Sequence, residues 1–96
     1  VEFHLTLRAP NEVAKLVRGL HPELKKKLKE ALRIVLDNPS IGKALKEELE
    51  GLRSYRVRRF RIVYQVVSTK REIRIVAIGP RETIYRETYR LIKKEK

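Results

Sequence analysis

The stretch LRSYRVRRFRIVYQVV, residues 52–67, decides the fold. Its apolar residues recur at every second position: Tyr55 and Val57, then Phe60, Ile62, Tyr64 and Val66. A period of two marks strands with one face buried. Only Arg58 and Arg59 separate the two runs, the length of a two-residue hairpin turn. That turn sets the register, pairing Val57 with Phe60, Arg56 with Arg61 and Ser54 with Val63. Tyr55, Val57, Phe60 and Ile62 then share the face turned to the helices, and Arg56 falls directly opposite Arg61 on the other. Like charges so placed destabilise a sheet by some tenths of a kcal/mol up to about 1. Stability alone gives no reason for the pair; an anion such as a phosphate held between them does.

Working outward, Ile73, Ile75 and Ala77 mark a third strand of this group, closed by Gly79-Pro80. With its turn near residues 69–70, that strand returns its end beside Arg61 and brings Arg81 to the same edge. Ile84, Tyr85, Thr88, Leu91 and Ile92 follow at helical spacing, so a C-terminal helix is expected, with Tyr85 one turn beyond Arg81. Toward the N-terminus, residues 40–51 read as a loop with a helical turn. Leu24, Leu28, Ala31, Leu32, Val35 and Leu36 form one helical stripe that begins at Pro22 and ends at Asn38-Pro39. Val13, Leu16, Val17 and Leu20 form another, with Pro10 as its first helical residue. The short link near Gly19 to His21 folds these two into an antiparallel hairpin. Residues 2–7 (EFHLTL) alternate as a half-buried strand. The expected class is α+β in the order β-α-α-β-β-β-α, with helices packed on one face of a mostly antiparallel sheet.

Composition narrows the chemistry. Ninety-six residues suit one domain, spanning 1–96. No cysteine is present, so disulfides and thiolate metal sites are excluded. The two histidines, His4 and His21, read as structural or exposed, and neither a metal nor a cofactor is expected. No apolar run approaches the roughly 18 residues needed to cross a bilayer, and the opening residues pattern as a strand rather than a secretion signal. A cytoplasmic protein without a membrane partner is the expectation.

Charge is the strongest global signal: 24 basic residues against 12 acidic ones, a net +12. It is unevenly spread. Residues 10–50 carry nine basic and seven acidic side chains, mostly Lys among the basic ones, whereas residues 51–81 carry nine basic and one acidic, eight of the nine being Arg. Arginine presents a planar fork suited to phosphates and bases, while lysine acts as a point charge. The first half therefore reads as a solvated scaffold and the second as a contact surface for nucleic acid.

The segments GKALKEELEGLRSYRVRRFRIVYQV (42–66) and IRIVAIGPRETIYRE (73–87) resemble the RelE/ParE toxin superfamily of toxin–antitoxin systems. The resemblance lies in the ordered set GL-x-x-YRV, (F/Y)RIVYQV and G-x-R-x-x-(I/V)Y, and extends over most of the chain. It implies a fold like that of small microbial ribonucleases, and an mRNA interferase that cuts messenger RNA in the ribosomal A site. It also implies silencing by a RelB-like antitoxin. Carried over, the hairpin contributes Arg56 and Arg61 to the catalytic set, the position after the last strand contributes Arg81, and Tyr85 is the tyrosine beyond it. Arg53, Arg58, Arg59 and Arg74 are expected as further RNA contacts. Two departures from the family pattern stand out. Ser54 occupies a position that is basic in some active members, and Arg58 stands where many have a turn glycine. The spacing from Arg81 to Tyr85 is one of two versions of the motif.

Metal-free RNA cleavage needs a base for the 2′-OH, charge stabilisation at the phosphorane and help for the leaving oxygen. Arginine suits the second task because it does not readily deprotonate. Tyr85 is the candidate base, a role that neighbouring cations would favour, or else a core anchor. Two rival readings use the same features: a ParE-like inhibitor of DNA gyrase, and a nonenzymatic nucleic-acid binder.

Overall fold

A computed structural model describes residues 5–94. Five strands and three α-helices follow among the described residues: β1 (Thr6–Arg8), α1 (Asn11–Arg18), α2 (Pro22–Asp37), β2 (Lys43–Ala44), β3 (Arg53–Val57), β4 (Phe60–Val67), β5 (Glu72–Pro80) and α3 (Ile84–Lys94). The strands form one sheet in the order β1-β5-β4-β3-β2, antiparallel except where β1 lies parallel to β5. The expected α+β class is observed. Phe3 and His4 lie outside the described residues, and the first strand is described from Thr6.

Sequence punctuation explains both early helices. Pro10 stands just before α1 as its cap, one position earlier than expected, with φ −64° and extended ψ. Pro22 opens α2, where its missing N–H is no loss. His21 caps that helix: its Nδ1 accepts the Glu23 N–H at 3.3 Å. The helical hairpin lays Val13, Leu28, Ala31 and Val35 against Val57, Ile62, Tyr64, Ile73, Ile75 and Ile78 of the sheet.

The third helix departs from the expectation that all helices share one face. Ile84 packs with Leu52, Val63 and Ala77, residues that alternate with the first set along their strands, so α3 covers the opposite face. The alternation is reversed on β5 by a bulge. Val63 pairs with Ala77 but Tyr64 pairs with Ile75, leaving Val76 as the extra residue. Ala77 therefore points away from Ile73 and Ile75, although period two places all three together. A sheet covered on both faces explains why β4 has three consecutive buried residues, Ile62, Val63 and Tyr64.

Residues 40–51 hold more than a loop. Lys43 and Ala44 pair with Ser54 and Arg53 as an edge strand, and Glu47–Leu49 form the expected helical turn as a 3₁₀ helix. Tyr64 anchors this segment. Its hydroxyl donates to the Pro39 carbonyl at 2.7 Å and accepts the Gly42 N–H at 2.9 Å. A Cβ at Gly42 would stand 2.5 Å from that hydroxyl, so only glycine allows the approach.

Candidate nucleic-acid interface

The hairpin register is the one that the two-residue turn dictates: Val57 with Phe60, Arg56 with Arg61, Ser54 with Val63. Arg58 sits at φ 55°, in the left-handed region that glycine favours. Arg61 in turn pairs with Gly79 on β5, and two residues on, the Arg81 N–H donates to the Arg59 carbonyl at 2.8 Å. The backbones of Arg56, Arg61 and Arg81 thus meet at one end of the sheet. Gly79 makes room for α3 there: a Cβ would lie 3.3 Å from the Ile84 Cδ1.

On the α3 face, Arg61 is half-buried while Arg56 and Arg81 are exposed. The Arg61 guanidinium carbon lies 6.0 Å from the centre of the Tyr85 ring, at the outer limit of a cation–π contact. Its Nε is buried with no hydrogen-bond partner. A buried donor left unpaired costs about 1–3 kcal/mol, so the arrangement is one that the fold alone does not satisfy. Arg56 is steered by its own turn, its Nε donating to the Arg58 carbonyl at 3.3 Å. The Tyr85 hydroxyl donates to the Ser54 Oγ at 3.2 Å, which is long for two hydroxyls and easily exchanged for another partner. Ser54 itself is buried. Its part in orienting Tyr85 was not anticipated, although the register already places it on the Arg56–Arg61 face.

Two expected contacts stand apart from this cluster. The Arg53 Nη1 donates to the Gly42 and Ser40 carbonyls at 2.7 and 3.2 Å and so clasps the loop before β2. Arg53 pairs with Tyr64, on the face of the helical hairpin. Arg74 lies toward the other end of β5, where its Nη2 meets the buried Glu72 carboxylate at 2.9 Å. Arg8 holds the same carboxylate at 3.1 Å and ties β1 to β5. Arg58 and Arg59 form the exposed rim beside the cluster. Among the described residues, no group of three or more His, Cys, Asp or Glu side chains converges as a metal site, and no helix is long and apolar enough to cross a membrane.

The fold is similar to that of solved toxins. A doubly substituted Escherichia coli toxin RelE in the free state superposes with a TM-score of 0.76 at 23% identity, covering 96% of this chain and 97% of that one. The match in the RelBE2 toxin–antitoxin complex of Mycobacterium tuberculosis has a TM-score of 0.72 at 24% identity, covering 81% and 99%. That in the archaeal RelE–RelB complex of Pyrococcus horikoshii has 0.67 at 21%, covering 81% and 96%. No curated protein matches the sequence. The sequence profile of the ParE-like toxins of type II bacterial toxin–antitoxin systems matches residues 7–89, and the chain belongs to that family.

Proposed function

We propose that this chain is a RelE-type endoribonuclease that cuts messenger RNA in the ribosomal A site, in the cytoplasm. The observation that carries the reading is the cross-strand pair Arg56–Arg61, whose inner member keeps a buried, unpaired Nε beside Tyr85. A scissile phosphate entering the cluster would relieve the repulsion between the two arginines. In this reading the 2′-oxygen attacks the adjacent phosphorus, the bond to the 5′-oxygen breaks, and a cyclic phosphate and a 5′-hydroxyl result. Arg61 stabilises the charge on the phosphorane, and Arg56 and Arg81 hold the phosphate and donate hydrogen bonds to the leaving 5′-oxygen, which takes its proton from water. Tyr85, released from Ser54 and having given its own hydroxyl proton to solvent, takes the 2′-OH proton. The set includes no strong base, so activity depends on groups that the ribosome contributes. Structures of RelE toxins bound to RelB antitoxins support a RelB-like partner here, one with acidic residues to complement the +12 chain.

Primer-extension mapping of a message on translating ribosomes tests the reading. Wild-type protein should give discrete cuts within codons, and Arg61→Ala should lower their rate at least about 100-fold. Membership of the ParE-like toxins supports a second reading, the gyrase inhibition that the resemblance to ParE implies. An uncut message together with blocked gyrase supercoiling by the same preparation would establish it instead.

A further inference from the structure

The face of the hairpin turned away from Arg56 and Arg61 carries a second basic concavity. It measures about 300 Å³ and is lined by His21, Glu23, Leu24, Lys27, Arg58, Arg59 and Phe60, between the start of α2 and the hairpin turn. Three cations stand against one carboxylate, and none of the three side chains has a partner among the described residues. Phe60 and Leu24 supply an apolar floor, packed on the main core. The turn itself is unusual: Arg58 holds φ 55°, a conformation that costs an L-residue with a Cβ and costs glycine nothing. A strained residue whose side chain makes no hydrogen bond or ion pair among the described residues points to a polar partner outside the fold.

We propose that this concavity is a second phosphate subsite for single-stranded RNA, held by Arg58, Arg59 and Lys27, with Phe60 against the adjoining sugar or base. The inference rests on the RNA reading above and extends it. The strand passes around the hairpin tip, one phosphate on the Arg56–Arg61 side and a neighbouring one on the Lys27–Phe60 side. Arg58 and Arg59 stand at the tip, between the two.

The strain makes the test clean, because the residue that best suits the backbone removes the ligand contact. Arg58→Gly should raise Tm by about 5 °C, since glycine adopts the turn without cost. The same variant should bind a fluorescent single-stranded RNA of 2′-O-methyl nucleotides, which offers no 2′-OH for cleavage, about 3–10-fold more weakly than wild type. Its slope of log affinity against log salt should be shallower by about 0.7, the loss of one phosphate contact. Lys27→Gln should behave alike in binding. Lys70→Gln, which removes an exposed charge between β4 and β5 at the far end of the sheet, controls for net charge and should change affinity less than twofold. Equal losses from Arg58→Gly and Lys70→Gln, or no loss from Arg58→Gly and Lys27→Gln, would overturn the subsite. If Arg61→Ala still abolished cutting in that case, the reading of the function would stand. Tighter binding of duplex DNA than of the RNA would overturn the assignment to RNA.

Discussion

In the proposed reading, the pair Arg56 and Arg61 trades stability for a phosphate site. Their cross-strand position sacrifices stability. Arg56→Gln should therefore stabilise the protein by up to about 1 kcal/mol in urea denaturation while lowering cutting at least tenfold. A loss of stability in that variant would mean that the repulsion is absent and that the pair has another cause. Tyr64 shows the opposite balance, with no exposed surface and a hydroxyl bound on both sides. Tyr64→Phe leaves the Gly42 N–H and the Pro39 carbonyl without that partner and should cost about 2 kcal/mol. Burial raises the Tyr64 pKa above its ordinary value, outweighing the Gly42 hydrogen bond and the nearby Arg53, which both lower it. The neutral form is thus the folded form. Its contribution is complete below about pH 10 and is lost as pH climbs through the raised value. Stability measured between about pH 9 and 11 should fall more steeply in wild type than in Tyr64→Phe.

At the scale of elements, the hairpin β3–β4 supplies Arg56 and Arg61, the end of β5 leads into Arg81, and α3 supplies the tyrosine. The contact between them rests on Ile84, buried against Val63 and Ala77 one residue before Tyr85. Ile84→Ala should cost about 3 kcal/mol. It should also reduce cutting, because Tyr85 loses its seat over Ser54 and Arg61. The α1–α2 layer is separated from α3 by the sheet. The variant should therefore keep helical and sheet signals in circular dichroism at room temperature; global unfolding instead would show that the two layers are one cooperative unit. The bulge at Val76 serves the same contact. It brings Ala77 and Gly79 to the α3 face, and Gly79 leaves room for Ile84.

At the scale of the whole molecule, the net +12 serves, in the proposed reading, encounter with RNA rather than chemistry. Affinity for single-stranded RNA should fall linearly with salt on logarithmic axes, by about 0.7 for each phosphate neutralised. Cutting on the ribosome should follow the same trend at low protein concentration and lose it at saturation. A salt-independent affinity would mean that the basic face is solvated surface rather than interface.

Much of this was legible in the residues alone. A two-residue turn leaves two strands no freedom of register, so the meeting of Arg56 and Arg61 follows from residues 55–62 without any tertiary information. Proline and asparagine bound α2 for equally local reasons. The side of the sheet taken by α3 was not legible, because periodicity shows that a stripe is buried and not against which face. Nor was the bulge at Val76: an extra residue reverses the alternation without leaving a mark in a run of apolar residues. The two-residue strand β2 is too short to display a period. The same limit separates the arginines by task. Composition makes Arg53, Arg61 and Arg74 alike, but their partners come from distant parts of the chain: carbonyls of the loop before β2 for Arg53, the tyrosine of α3 for Arg61. Arg74 shares Glu72 with Arg8 of β1, and only the folded chain brings these groups together.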